Sequence, residues 1–391
     1  MSAPGKFDYQ LSSEQEERAA RLHKDSIVFD LLCKNAGGNI FDHYPEELQF
    51  EFRERMKTAG FGWPACKVAE YWPFEMSKLG KSDLLPEWLH AAGLTCGTYS
   101  IGVYDDEDSV WTQWEPQVAS YRRLPWLRYV TTAEEIRQAK RDGLIAYYAH
   151  CQPVIPAPRE LKAFDVAYAK GLRSFMLTYN RMDHIGVGCT ERVDAGLSMY
   201  GLEVVKHCND IGMMVDVSHC GAQTTLDACR YSNKPVNANH SSAVGIHFHP
   251  RAKTDEALRA IADTGGIIGV YAVPTFLTTD PKPTIEHMLD HIDYIANLVG
   301  WRHVAIGTDW PLQAPDDVVL ATFGEDPQLA FRPAEGDRPA DIDLSKKLDG
   351  FDDLRDLPNI TRGLVKRGYS DEQIQGILGE NALRVFEDVC G

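Results

Sequence analysis

A (β/α)8 barrel is the fold class this sequence predicts, on two observations. Short apolar runs that end in polar or small residues recur along the chain, and amphipathic stretches separate them. Buried parallel strands have the first signature, because helices cover both faces of the sheet and the alternation of a half-exposed strand disappears. Runs that alternate with helices then give a barrel, with a doubly wound open sheet as the alternative. The length of 391 residues is within reach of one α/β barrel with insertions, so residues 1–391 are read as a single barrel domain.

The expected strands are 26–32, 94–102, 144–149, 174–179, 213–218, 235–239, 266–273 and 303–308. Among the helices, 198–209 repeats apolar residues at helical spacing and stops before Gly212, a helix-ending glycine. Stretches 255–264, 284–299 and 351–367 behave alike. Ser370-Asp-Glu-Gln373 opens the last helix as a capping box, with Ile374, Ile377, Leu378, Leu383, Val385 and Phe386 turned inward. Residues 1–25 read as a helical lead-in capped at Ser13. Two segments break the alternation: 34–93, rich in aromatics, and 310–350, rich in Pro, Asp and Gly. Both are read as long loops over the barrel mouth.

Composition narrows the class. Forty Lys and Arg against 57 Asp and Glu leave a formal net charge of −17, which argues against nucleic acid or an anionic membrane as the main partner. No apolar run approaches the roughly 20 residues that span a bilayer. The opening residues lack the apolar core of a signal peptide. Nine scattered cysteines without a CxxC pair make neither a disulfide nor a zinc-ribbon framework. The expected setting is cytoplasmic.

Catalytic residues of a barrel follow the C-terminal ends of its strands. The fifth run ends in Ser218-His219-Cys220, the sixth in Asn239-His240-Ser241 and the eighth in Thr308-Asp309. Two imidazoles and a carboxylate at three strand ends make a metal-ligand set, His219, His240 and Asp309, suited to zinc or iron. The plainer reading is that these residues only cap strand ends.

These stretches also resemble the strand-end motifs of the membrane (renal) dipeptidase family of metallopeptidases. The resemblance is carried by Gly212 through Val-Asp-Val-Ser-His219, Asn239-His-Ser-Ser-Ala243 and Ile306-Gly-Thr-Asp309. It extends to Asn180, Ile-Gly-Val-Gly-Cys-Thr-Glu191, Gly196-Leu-Ser198 and the tail Gly379-Glu-Asn-Ala-Leu-Arg-Val-Phe386. It implies an amidohydrolase-like barrel whose two-zinc site hydrolyses dipeptides and related amides, and a homodimer. By resemblance His219 and His240 hold the second metal and Asp309 handles the proton of the catalytic water. Arg251 binds the substrate carboxylate, and Asn180 joins it as a substrate-binding residue. A bidentate guanidinium suits that task.

The departures are as informative. Where the family carries a His-x-Asp pair for its first metal, this chain has Leu32 and Lys34, and the strand-three glutamate is matched by Tyr148. Tyr179 stands where many members have a histidine near the scissile carbonyl. The expectation is therefore one divalent ion, zinc first and iron second, on His219, His240 and Asp309. Lys34, Tyr148 and Tyr179 are expected to fill the vacated half-site and contact substrate; the tyrosine hydroxyls would donate to a developing oxyanion. The expected function is hydrolysis of an amide or peptide-like C–N bond in a small carboxylate-bearing molecule. The alternatives are a non-hydrolytic step on a small acid and a catalytically dead ligand-binding relative.

Weaker signals have plainer readings. Asp216 is expected inside the barrel, satisfied by neighbours, and Cys220 to pack outward. His287 and His291, four apart, are expected on a solvated helix face. His247 and His249 are pocket candidates beside Arg251. The acidic 105–108 run is read as solvated.

Overall fold

The computed structural model describes residues 5–33, 38–59, 63–101, 122–153, 157–309 and 346–391. Its centre is a parallel sheet of β1 (Cys96–Ile101), β3 (Ile145–Cys151), β4 (Leu172–Met176), β5 (Met214–Asp216), β6 (Val236–Ser241), β7 (Ile267–Val270) and β8 (Val304–Ile306), hydrogen-bonded in that order. The two ends of this row meet. Phe29 bridges to Cys96 of β1 and Asp30 to Ile306 of β8, both in parallel sense. Residues 28–30 thus act as the remaining stave of a curled α/β barrel, and every expected strand has its counterpart. A further strand, β2 (Leu127–Tyr129), pairs with the lower half of β3, below the level at which β4 begins opposite Ala149.

Strand three is longer than its apolar run suggests: it continues past Ala149 to Cys151, with a register shift against β4 between Ala149 and His150. Strand side chains alternate in direction. Tyr148, His150 and Gln152 consequently succeed one another up the inner wall. This two-residue extension moves the strand's end from Ala149 to Cys151, so Gln152 is the inward position just above it.

Helices cover the outside, and their ends obey local rules. The helix Met199–Ile211 is capped by the Ser198 side chain and ends at Gly212 in the left-handed region, φ 79°. The lead-in helix Ser13–Asp25 is capped by Ser12, one residue before the expected Ser13, in a capping box with Gln15. Ser370 and Gln373 form the expected box at Asp371–Gln375. The insertion after residue 33 carries helices Glu46–Ala59, Trp63–Lys78 and Leu84–Ala91. Its aromatics join the main hydrophobic core: Trp72, Phe74 and Trp88 are buried, with Phe52 on Trp72 at 5.4 Å and Phe74 edge-on to Tyr147 of β3 at 5.7 Å.

The C-terminal helix Asn381–Cys390 closes the floor. Phe386 packs edge-on against Tyr148 at 5.3 Å and also meets Phe29. Asn381 Nδ2 donates to the carbonyls of Trp301 and Val304. Among the described residues no helix is long and apolar enough to cross a membrane.

Candidate metal and active site

The site rises through the barrel in two polar layers. In the lower one, β5 carries Asp216 and β3 carries His150, whose Nε2 lies 2.9 Å from Asp216 Oδ2 with both side chains fully buried. The other carboxylate oxygen, Oδ1, accepts from the N–H and hydroxyl of Ser218 at 2.9 and 2.5 Å and from the Asn239 N–H at 3.1 Å. Burial would raise the pKa of Asp216, but the hydrogen bond and charge of His150, joined by these donors, hold it below the ordinary carboxylate value. Asp216 is therefore the satisfied interior residue that was expected. The Ser218 hydroxyl in turn accepts the backbone N–H of His240 at 3.1 Å, which ties this layer to the next.

The upper layer brings His219 and His240 together. Their Nε2 atoms are 3.0 Å apart, and the Gln152 amide nitrogen stands 3.1 Å from one and 3.3 Å from the other. His219 donates its Nδ1–H to Asn180 Oδ1 at 2.6 Å, which leaves the Nε2 lone pair for a ligand. The Tyr179 ring stacks on His219 at 4.2 Å and 19°. Asn180 thus serves the histidine directly, beyond the substrate-binding task expected of it.

Asp309 follows β8 in a left-handed conformation, φ 49°, rare for a residue other than glycine. Its N–H donates to the carbonyl of Leu32 at 2.8 Å. Beneath it, Asp30 accepts from the N–H and hydroxyl of Thr308 and from the Leu32 N–H. Burial nonetheless raises Asp30 to about 6, against these donors and with a contribution from the charge of Asp309.

Two buried cations cage the His219 turn. Arg251 donates through Nη1 to the Ser218 carbonyl and through Nη2 to the His240 carbonyl, the latter at 3.2 Å. Lys253 Nζ donates to the carbonyls of Val217 and Cys220 at 2.6 and 2.8 Å and to the Thr225 hydroxyl. Burial lowers the Lys253 pKa from the ordinary lysine value. His249 helps to place Arg251, accepting its backbone N–H at 3.1 Å while stacking on Phe276 at 4.1 Å.

The structure thus joins His219, His240, Asn180, Tyr179 and Arg251 in one region. It seats Tyr148 on the barrel floor, fully buried, with its hydroxyl donating to the Leu31 carbonyl at 3.3 Å. Lys34 and the 105–108 run lie outside the described residues. His291 corrects an expectation. It is buried, not solvated: Nδ1 accepts the Ala243 N–H and Nε2 donates to the Leu277 carbonyl, both at 3.1 Å. Cys220, for which only outward packing was expected, is buried and accepts from the Thr178 hydroxyl. Missed from sequence were His150, Gln152 and Lys253. Continuing the inward alternation of strand three beyond Ala149 finds the first two.

Whether these residues suit a metal follows from the donors themselves. Zinc–nitrogen bonds are about 2.0–2.1 Å long, so two Nε2 atoms 3.0 Å apart lie within reach of a single ion that displaces the proton shared between them, and the Asn180 acceptor is the outer partner that ligating histidines usually have. The pair fits one ion. Among the described residues no three His, Cys, Asp or Glu side chains form a metal-binding group.

Comparison with known proteins settles the relationship. The membrane dipeptidase model, peptidase family M19, matches residues 116–318 and 342–390. The chain belongs to this family. A dipeptidase, verJ, of Clonostachys rogersoniana is 28% identical over 263 residues, which cover 66% of this chain and 59% of that protein. An uncharacterised protein encoded in the pqqA 5′ region of Klebsiella pneumoniae is also 28% identical, over 67% of this chain and 89% of its own length. Among solved structures, an amidohydrolase from Pseudomonas aeruginosa superposes with a TM-score of 0.72 at 27% identity, covering 95% of this chain and 99% of that one. A metallopeptidase from Rhodobacter sphaeroides, liganded with a phosphinate mimic of the dipeptide L-Ala-D-Ala, shares the fold. Its TM-score is 0.65 at 19% identity, over 93% of this chain and all of that one.

Proposed function

We propose that this member of the membrane dipeptidase family hydrolyses a peptide-like C–N bond in a small carboxylate-bearing substrate, with a single divalent ion held by His219 and His240. The observation that carries the reading is the convergence of two buried Nε2 atoms, 3.0 Å apart, with one ring oriented by Asn180. Zinc is the proposed ion; bound there, it supplies a Lewis acid for the scissile carbonyl and makes a water molecule acidic enough to attack near neutral pH.

The chain's own residues supply the rest. Asp309, at the end of β8, accepts the proton of the attacking water and returns it to the leaving amine. Tyr179 flattens against His219 and limits how that ring turns. Arg251 presents its Nε–H, which has no hydrogen-bond partner among the described residues, to the substrate carboxylate. Together with Lys253 it places two buried positive charges around the His219 turn, a field that favours an anionic substrate. Lys34 keeps its proposed place in the half-site left by the family's first metal. A cytoplasmic setting and a homodimeric assembly are part of the proposal.

Metal analysis combined with a dipeptide assay tests the reading. After reconstitution with zinc, the protein is expected to hold one ion per chain and to release free amino acids from short dipeptides such as L-Ala-D-Ala. His219→Ala is expected to lose both properties with its circular dichroism unchanged. Zinc content that stays below about half an ion per chain refutes the single-ion site.

A further inference from the structure

We propose that Gln152 is the third protein ligand of the ion at His219 and His240; this rests on the metal reading above and extends it to a residue that neither the motif match nor the ordinary ligand types would select. In the family pattern the strand-three residue at the metals is a glutamate, and sequence matching pairs that glutamate with Tyr148. The fold breaks the pairing. Tyr148 lies two layers down, its hydroxyl on the Leu31 carbonyl and its ring between Phe29 and Phe386. Gln152, the second inward position above it, reaches both imidazoles.

The state of its amide makes this a built site. Gln152 is 3% exposed. Its Nε2 faces the two imidazole nitrogens, while its Oε1 is buried and has no hydrogen-bond partner among the described residues. Native proteins seldom leave a buried amide oxygen unmatched. The two ends of a side-chain amide are nearly the same size and shape. A half-turn of the amide therefore exchanges them and presents Oε1 to the point on which both Nε2 atoms converge.

Gln152 is thus a two-position element. Without the ion, His240 Nε2–H donates to the His219 Nε2 lone pair, and the Gln152 NH2 group faces both nitrogens and keeps the rings together. With the ion, its carbonyl oxygen joins the two nitrogens, and amide oxygens are accepted ligands of divalent cations. A neutral amide in place of a carboxylate has an electrostatic consequence. It leaves the charge of the ion uncompensated beside Arg251 and Lys253, which lowers affinity for metal and raises the attraction for a negatively charged substrate.

Cobalt(II) titration of the full chain tests the assignment, because the visible bands of Co²⁺ report ligand number and type whether or not the enzyme turns over. Wild type is expected to bind one Co²⁺ per chain. Gln152→Leu, which keeps the volume and removes the oxygen, is expected to bind about tenfold more weakly or worse, with altered bands. Gln152→Glu is expected to bind more tightly than wild type, and it keeps the test open if the leucine variant misfolds. Wild-type affinity and bands in Gln152→Leu, with binding abolished in His219→Ala, overturn the Gln152 role while leaving the metal site standing. Absence of Co²⁺ and Zn²⁺ binding in wild type overturns both.

Discussion

At His219 the tautomer is fixed from outside the ring. The Nδ1–H goes to Asn180 Oδ1 at 2.6 Å, and Asn180 is held in turn through its own backbone carbonyl, which accepts from the Thr190 hydroxyl at 2.6 Å. A ligating imidazole whose far nitrogen is bonded in this way is oriented and made more basic, and loss of such a partner commonly costs about 10–100-fold in metal affinity. Asn180→Ala is therefore expected to weaken zinc binding by about 10–100-fold with no change in fold, measured by competition against a chromogenic chelator. Asn180→Asp, which retains an acceptor, is expected to recover most of the loss. Equal affinities in wild type and Asn180→Ala would show that Asn180 is not the residue orienting His219.

Among the elements, the C-terminal tail shows what a sequence motif can mean. Gly379 through Phe386 resembles a family signature, yet the structure gives it packing rather than chemical work. A Cβ on Gly379 would lie 2.3 Å from the carbonyl oxygen of Ile27, in the stretch leading into the stave that closes the barrel, and Asn381 pins the following helix to the residues around β8. Gly379→Ala must push this helix off the floor. It is expected to lower stability by about 1–3 kcal/mol, read as a shift in urea midpoint, and an unchanged midpoint would show that the floor yields at no cost.

The same scale explains what sequence could and could not show. The strands were legible because their buried apolar runs are local patterns, and the histidine pair was legible because barrel chemistry collects at strand ends. The top of strand three was not. His150 is polar because Asp216, 66 positions away in sequence, satisfies it, so the apolar run stops at Ala149 while the ladder continues to Cys151. Gln152 was hidden by the same two residues. His291 was misread because its spacing among acidic residues resembles a wet face, whereas its partners Ala243 and Leu277 arrive from distant turns.

For the molecule as a whole, buried titratable groups of opposite sense set the response to acid. His291 is lowered to about 4 and His249 to about 3, both mainly by burial. Each therefore stays neutral in the folded chain while an unfolded histidine protonates near 6.5. As pH falls from 6.5 toward 4 the unfolded state takes up the proton that native His291 refuses, so stability declines by about 1.4 kcal/mol per pH unit from this residue. Asp30 and Asp356, raised to about 6 chiefly by burial, act in the opposite direction. Their native carboxyls protonate before the unfolded ones, so acidification through 6 toward 3.8 favours the fold. The raw profile mixes these terms, and a subtraction separates them. His291→Gln keeps an acceptor for the Ala243 N–H and a donor for the Leu277 carbonyl but cannot titrate. Between pH 7 and pH 5 it is expected to lose about 2 kcal/mol less stability than wild type, measured by urea unfolding at both values. Parallel losses in the two proteins would mean that native His291 takes up its proton as freely as an unfolded histidine, and would overturn the burial argument for the acid limb.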